Sequence, residues 1–209
     1  MFEPQIARLR DHWRCITGNR RGHGRTASDS IAAFNDDDLA DDLAGLMTDL
    51  AIEHAVVAGI RQGGYVALRL ALAHPQRVRG LILLNTQALP EADAAIHGYE
   101  KFLAIWRQGG LPHHIADILA RIILGEGAPQ AQAWKTKWSL WKPHNLTASF
   151  QALMERHDIS SRLWMMRVPA LVIHGGQTPR SPSSGAWTCS AIWPGRAWLG
   201  LREPDMRAT

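Results

Sequence analysis

The sequence predicts an α/β fold built on a mostly parallel sheet with helices on both faces. Two observations predict it. Short apolar runs without in/out alternation, such as residues 55–60 and 81–84, are typical of strands buried in a parallel sheet. Segments with helical spacing alternate with these runs, which favours parallel strands joined by helices. At 209 residues the chain has the length of one globular unit.

The amino-terminal elements follow from local patterns. Residues 4–10 are predicted as a short helix and 13–17 as a buried strand, before a turn-rich stretch that contains Gly22-His23-Gly24. Apolar residues at helical spacing predict a helix over 39–50. Three aspartates at 36–38 precede it, where carboxylates favour a helix N-terminus.

The next elements complete a first unit of core, residues 1–88. The run 55–60 predicts a strand, and residues 65–73 predict a helix that is stopped by Pro75. Residues 81–84 predict the following strand.

The pattern of apolar residues changes in the second half of the chain. Residues 89–161 show helical patterns alone, which we interpret as a helical lid; its predicted helices are 94–106, 115–124 and 146–156. Residues 162–176 return to the core with a strand over 168–173. Residues 177–209 have scattered Pro and Trp with neither period, and are predicted to be an aberrant tail.

Composition excludes several classes of protein. The chain is 46% hydrophobic and 20% charged, which is typical of a globular protein rather than a disordered one. No apolar run is long enough to cross a bilayer, and the charged start lacks a secretion signal, so we expect a cytoplasmic protein without a membrane partner. The net charge of +4 is not clustered on one face, which argues against nucleic acid as a partner. Two cysteines do not suggest a disulfide scaffold or a cysteine metal site.

A strand–turn–helix motif carries the strongest functional signal. Gly59-Ile60-Arg61-Gln62-Gly63-Gly64 lies between the strand at 55–60 and the helix that follows. Such an elbow raises one side chain above the sheet, and glycines two positions before and after it permit the tight approach of strand and helix. Position 61 is therefore the predicted nucleophile position.

Three motifs in this order resemble the α/β-hydrolase superfamily. They are R-G-H-G-R-T at 21–26, the elbow with H-P-Q-R-V at 74–78, and P-A-L-V-I-H-G at 169–175. Over residues 2–175 the chain is similar to bacterial small-molecule hydrolases such as 3-oxoadipate enol-lactonases and related esterases. The resemblance implies an α/β-hydrolase-like core with a lid, and hydrolysis of an ester, lactone or similar carbonyl compound by a Ser-His-Asp triad. It implies neither a metal nor an organic cofactor.

The departures from this family fall on catalytic positions. Where the family has Ser, Asp or Cys, this chain has Arg61, and a guanidinium that stays protonated is no nucleophile. Gln62 follows it and is a candidate to present its backbone N–H to an oxyanion. The family's opening strands would lie upstream of Phe2, and neither an Asp soon after Gly175 nor a Gly-His near the end matches the family's acid and base. We therefore expect a truncated, catalytically inactive pseudoenzyme.

The loss of pattern after Gly176 has a candidate explanation in the genetic code. Read one base out of register, the codon that spans Gln177 and Thr178 must encode Asp or Asn, and the codon that spans Asp205 and Met206 must encode His or Tyr. These residue types suit the family's acid and base positions. We hypothesise a frameshift, biological or in sequencing, which the DNA sequence through codon 176 would test.

Several residues have a functional and a structural interpretation. Arg61 is either a degenerate nucleophile position or an anion anchor in a small-molecule pocket under the lid, because its guanidinium makes bidentate contacts. His23 and Asn85 are interpreted as structural residues of their turns. The tryptophans of the lid, at 134, 138 and 141, have helical spacing and either line a pocket or simply pack. Asn145-Leu146-Thr147 matches a glycosylation sequon.

Overall fold

A computed structural model describes residues 2–175 and the backbone of 197–201. Its helices of seven residues or more are α1 (Glu3–Leu9), α2 (Asp36–Asp49), α3 (Gln62–Ala73), α4 (Asp93–Gly109), α5 (His113–Leu124), α6 (Ala131–Ser139) and α7 (Pro143–Met154). Its strands are β1 (Ala55–Ile60), β2 (Val78–Leu84), β3 (Ala170–Gly175) and β4 (Ala197–Leu201). The predicted α/β class, the parallel sheet and the run of helices between β2 and β3 are all observed.

The four strands form one parallel sheet in the order β1-β2-β3-β4. The register places Ile60 beside Leu84, and Leu84 beside Ile173. Parallel strands end at the same edge of a sheet, so the residues that follow β1, β2 and β3 lie near one another. The elbow motif lies at this edge.

The main core lies on one face of the sheet. Tyr65 and Leu68 of α3 pack with Leu81 and Leu83 of β2 in a cluster that also contains residues of α2 and β3. A second cluster, centred on Leu103 and Trp106 of α4 and on residues of α6 and α7, belongs to the helical segment alone. Burial of apolar surface is the main favourable contribution to the stability of each of the two clusters.

The opposite face of the sheet is much more exposed. Along β1, Val56 is 56% exposed and Ala58 is exposed, whereas Gly59 is buried. The same alternation continues in β3, where Val172 is buried and Ile173 is half-buried. Strands of a parallel sheet usually have both faces covered. Among the described residues, this sheet is covered well on one face and only in part on the other.

Residues 13–17 do not form the predicted buried strand. The described structure has no strand there, and Trp13 and Ile16 are 67% and 42% exposed. An apolar run becomes a strand only where a neighbouring strand pairs with its backbone. The described sheet ends at β1 and gives residues 13–17 no such neighbour.

One segment of the predicted aberrant tail, residues 177–209, forms a strand. Ala197–Leu201 forms β4 and pairs in parallel with β3, with Leu199 beside Ile173. The run is short and contains a glycine, so its pattern is weak by itself, and pairing with β3 stabilises it. The rest of the predicted tail lies outside the described residues.

Candidate active site

The elbow between β1 and α3 has a strained backbone at Arg61. This residue has φ 53° and ψ −122°, a left-handed conformation that non-glycine residues seldom adopt. Its N–H donates to Leu84 O at 3.0 Å. Its carbonyl accepts from Thr86 Oγ1 at 2.7 Å and from the N–H of Gly64 at 3.0 Å. The N–H of Tyr65 also donates to this carbonyl, at 3.2 Å. These hydrogen bonds hold the turn at Arg61, where the strand changes direction into the helix.

Two glycines make this turn possible by close packing. A Cβ on Gly59 would lie 2.2 Å from Gly63 O, and one on Gly64 would lie 2.6 Å from the Thr86 side chain. A Cβ on Gly63 would meet nothing within 4 Å. Close packing therefore requires glycine at positions 59 and 64. The sequence pattern indicated Gly59 and Gly63, and the structure shows no such requirement at Gly63.

Gln62 has a buried side chain with two partners. Its Nε2 donates to Asp36 Oδ1 at 2.9 Å, and its Oε1 accepts from Arg20 Nη1. As the first residue of α3, Gln62 has a backbone N–H without an acceptor inside the helix. The contacts of the side chain fix the orientation of this peptide at the helix start.

Asp36 and Arg20 complete the surroundings of Gln62. Asp36 is 4% exposed, and burial raises the pKa of its carboxyl, an effect opposed by the Gln62 hydrogen bond and by nearby arginines. Arg20 is exposed, and its guanidinium remains charged near neutral pH. Sequence patterns assigned neither residue to the site, and Asp36 was predicted only as part of a helix start, because the contacts to Gln62 join positions far apart in the chain.

His23 is held as a neutral imidazole. Arg20 Nη2 lies 3.1 Å from His23 Nε2, and because a guanidinium only donates, Nε2 must accept. The proton is then on Nδ1, which lies 3.3 Å from Arg21 O. Loss of hydration, helped by the charge of Arg20, lowers the pKa of His23 to about 4. His23 also packs edge-on against Trp141, with ring centroids 5.3 Å apart.

The helix α7 is attached to the turn-rich loop through Asn145. This side chain is 1% exposed; its Nδ2 donates to Ser28 O at 2.7 Å, and its Oδ1 accepts from Ser28 N–H at 3.3 Å. The sequon at 145–147 therefore has a buried asparagine. The lid tryptophans pack together, with Trp134 and Trp138 5.9 Å apart, and Trp138 is buried in the lid cluster.

The remaining candidate residues have the following places. Asn85 has φ 45°, and its Oδ1 accepts from Gly175 N–H at 2.9 Å, which joins the ends of β2 and β3. The expected acid and base positions after Gly175 lie outside the described residues. Among the described residues, no cluster of His, Cys, Asp or Glu is suited to hold a metal ion. No helix in the described part of the chain is long and apolar enough to span a bilayer.

One open cavity lies beside the lid rather than at the elbow. It has a volume of about 440 Å³ and is lined by Ile31, Arg107 and residues of α7 such as Thr147 and Gln151. Arg61 and Gln62 are not part of its lining. The structure thus does not bring Arg61 into this cavity, and the pocket expected under the lid stays a prediction.

Comparisons with known proteins agree on one family. A family profile described as "alpha/beta hydrolase fold" matches residues 1–202. The chain is 27% identical over 198 residues to 3-oxoadipate enol-lactonase 2 of Acinetobacter baylyi, covering 92% of this chain and 72% of that protein. It is 38% identical over 85 residues to a carbamate hydrolase, RutD, of Yersinia enterocolitica, covering 41% of this chain and 31% of that protein. The match to the Yersinia protein thus spans about a third of its length.

Solved structures show the same fold. A hydrolase from Pseudomonas aeruginosa and a malate-bound esterase from Thermogutta terrifontis each superpose with a TM-score of 0.83 at 25% identity. These alignments cover 96% of this chain and 76% and 75% of the respective structures. An enol-lactonase from Burkholderia xenovorans, 22% identical, also has a TM-score of 0.83 and covers 96% of this chain and 76% of its own.

Proposed function

Because this chain belongs to the α/β-hydrolase family, we propose that it keeps the family's scaffold but does not use the Ser-His-Asp mechanism of its hydrolytic relatives. One observation carries the proposal: the strained position of the elbow is occupied by Arg61. A guanidinium keeps its proton and its positive charge at all physiological pH values, so it forms no acyl-enzyme.

His23 gives no substitute for the missing nucleophile and base. Its Nε2 accepts from a charged arginine, and its pKa of about 4 makes it a weak proton acceptor near neutral pH. Its contacts instead stabilise the glycine turn at 22–24 against Trp141 of the lid.

The first test uses Arg61→Ser, which restores the nucleophile type to the elbow. We expect no turnover of p-nitrophenyl acetate above that of the unchanged chain, because a serine alone lacks a base to remove its proton. Gly63→Ala, a change next to the same turn without a nucleophile, is the matched control. Turnover by Arg61→Ser that exceeds this control would contradict the proposal.

A second candidate function is the binding of a small carboxylate at the elbow. Arg61 directly precedes α3, where the first backbone N–H groups lack helical acceptors and the helix dipole favours an anion. Among the relatives, the Thermogutta esterase structure holds malate, and the Acinetobacter enzyme is named for a lactone of oxoadipate. Both names point to carboxylate-bearing molecules, which supports this chemical class of ligand.

Malate is the probe for this second function. We expect added malate to shift the amide resonances of Gln62 and Gly63 in a ¹⁵N–¹H spectrum, and Arg61→Gln to abolish the shift. Arg79→Gln is the matched control. It removes the same charge at the opposite end of the parallel strands, where Arg79 is exposed near the start of β2. Binding that survives Arg61→Gln, or that is lost equally in Arg79→Gln, would overturn this function.

A further inference from the structure

A small polar cavity lies between the start of α2 and the end of α7. Its volume is about 40 Å³, and its walls include Asp36, Tyr65, Arg69 and Arg156. A cavity of about 10–15 Å³ already holds one water molecule. This cavity therefore has room for at least one water molecule, and it is far smaller than the roughly 300–1,000 Å³ of typical ligand pockets.

Two buried groups in the walls of this cavity have no hydrogen-bond partner among the described residues. They are Asp36 Oδ2 and Arg156 Nε. Asp36 is 4% exposed and Arg156 is 7% exposed. Buried polar atoms in native proteins nearly always have a partner, either protein or ordered water, because an unpaired one is energetically costly.

Each of the two side chains is held by other contacts. Asp36 Oδ1 accepts from Gln62 Nε2 at 2.9 Å. Arg156 Nη2 lies 2.8 Å from Glu91 Oε1, and its guanidinium stacks over the Tyr65 ring at 5.2 Å. These contacts leave Asp36 Oδ2 and the Nε–H of Arg156 without a described partner, in two residues that line the same cavity.

We infer that one internal water molecule occupies this cavity, accepting from Arg156 Nε and donating to Asp36 Oδ2. The carboxylate oxygen only accepts and the guanidinium N–H only donates, so the ligand must do both. Ammonium has no acceptor and a halide ion has no donor, whereas water has both. The water connects the end of the lid helix α7 to Asp36, and hence to Gln62, Arg20 and His23 at the candidate site. Asp36 is then a positioning residue, because it acts on the elbow through Gln62.

The inference can be tested on the full chain by NMR of the arginine side chains. With ¹⁵N-labelled arginine, the Hε of Arg156 should show a cross-peak to water with opposite signs in NOESY and ROESY spectra, which identifies a water held for a long time. Arg69 is the matched control: it lines the same cavity, but its Nε already donates to Asp37 Oδ1. We expect no such peak for Arg69. Arg156→Lys and Arg69→Lys assign the two signals.

Two results would overturn the inference. A peak of the same sign in both spectra would mean that Arg156 Hε simply exchanges with solvent, and the absence of any peak would mean that the cavity is dry. A crystal structure of the unmodified chain is the second measurement and needs no variant. Density for a water within hydrogen-bond distance of both Asp36 Oδ2 and Arg156 Nε supports the inference, and an empty cavity contradicts it.

Discussion

The charge and the backbone of a single residue, Arg61, decide what the elbow can do. Its φ of 53° is costly for any residue with a Cβ, and glycine adopts it freely. We expect Arg61→Gly to be more stable than Arg61→Ala by about 1 kcal/mol, because both lose the same side-chain contacts and only glycine relieves the strain. The free energy of unfolding from urea titration measures the difference. Equal stability of the two variants would show that position 61 is not strained in solution.

The glycines of the elbow differ in what they tolerate. Gly59→Ala and Gly64→Ala should each lower the free energy of unfolding by at least about 2 kcal/mol, because the new Cβ overlaps backbone or the Thr86 side chain. Gly63→Ala should be neutral or stabilise by up to about 1 kcal/mol, since Gly63 lies in α3 with open space around it. Urea titration of the three variants checks this order. If Gly63→Ala lowers the free energy of unfolding as much as Gly59→Ala does, the prediction is refuted.

His23 makes the stability depend on pH. Its pKa is about 4 in the folded chain and about 6.5 when unfolded, so between these values the unfolded chain binds more protons. The contribution of His23 is therefore present above pH 6.5 and is lost as the pH falls towards 4. Over this range we expect the free energy of unfolding to fall by about 2 kcal/mol more in the unchanged chain than in His23→Gln. Denaturant titrations at pH 7 and pH 4.5 measure it, and parallel losses in both proteins would contradict the assignment.

At the scale of elements, the side chain of Asn145 connects α7 to the loop that precedes α2 through hydrogen bonds to Ser28. Asn145→Ala leaves the N–H of Ser28 without its partner and removes one of the two contacts of the Ser28 carbonyl, which also lies 2.6 Å from His144 Nε2; the change should cost about 2 kcal/mol. Gln151→Ala, an exposed change on the same helix, should cost less than about 0.5 kcal/mol. Hydrogen exchange of the α7 amides and urea titration follow the two effects. Similar values for both variants would mean that Asn145 does not attach the helix.

Sequence patterns predicted elements where the signal is local. The helix over Asp36–Asp49 combines apolar spacing with a capping box between Asn35 and Asp38, and the strand–turn–helix at the elbow carries its own glycines. Two strand assignments differ from the structure: residues 13–17 are predicted as a strand and form none, whereas β4 is a strand that the pattern does not predict. Both differences have the same cause. Strand formation depends on a pairing partner, and neither apolar run contains information about its neighbour.

The same limit applies to the candidate site. Position 61 follows from motif spacing, but the contacts of Gln62 with Asp36 and Arg20 span 26 and 42 positions of sequence. The aspartates at 36–38 were interpreted as a helix start, which they are, and the burial of one of them is a property of the packed molecule. Tertiary contacts of this kind cannot be derived from local periodicity.

At the scale of the whole molecule, the sheet is asymmetric in its burial. One face carries the main core, whereas the other exposes Val56 and leaves Ile173 half-buried. The chain covers about three quarters of the solved structures that it matches with a TM-score of 0.83. The fold of the family is thus retained over the described residues, and Arg61 stands at the strained position of its elbow.

The most direct test of this account is the intact mass of the purified chain after incubation with a serine-directed fluorophosphonate. Because Arg61 occupies the predicted nucleophile position, we expect the mass of the chain to be unchanged. A stoichiometric adduct that maps to a residue of the chain would contradict the account, since it would reveal an activated nucleophile that Arg61 cannot be.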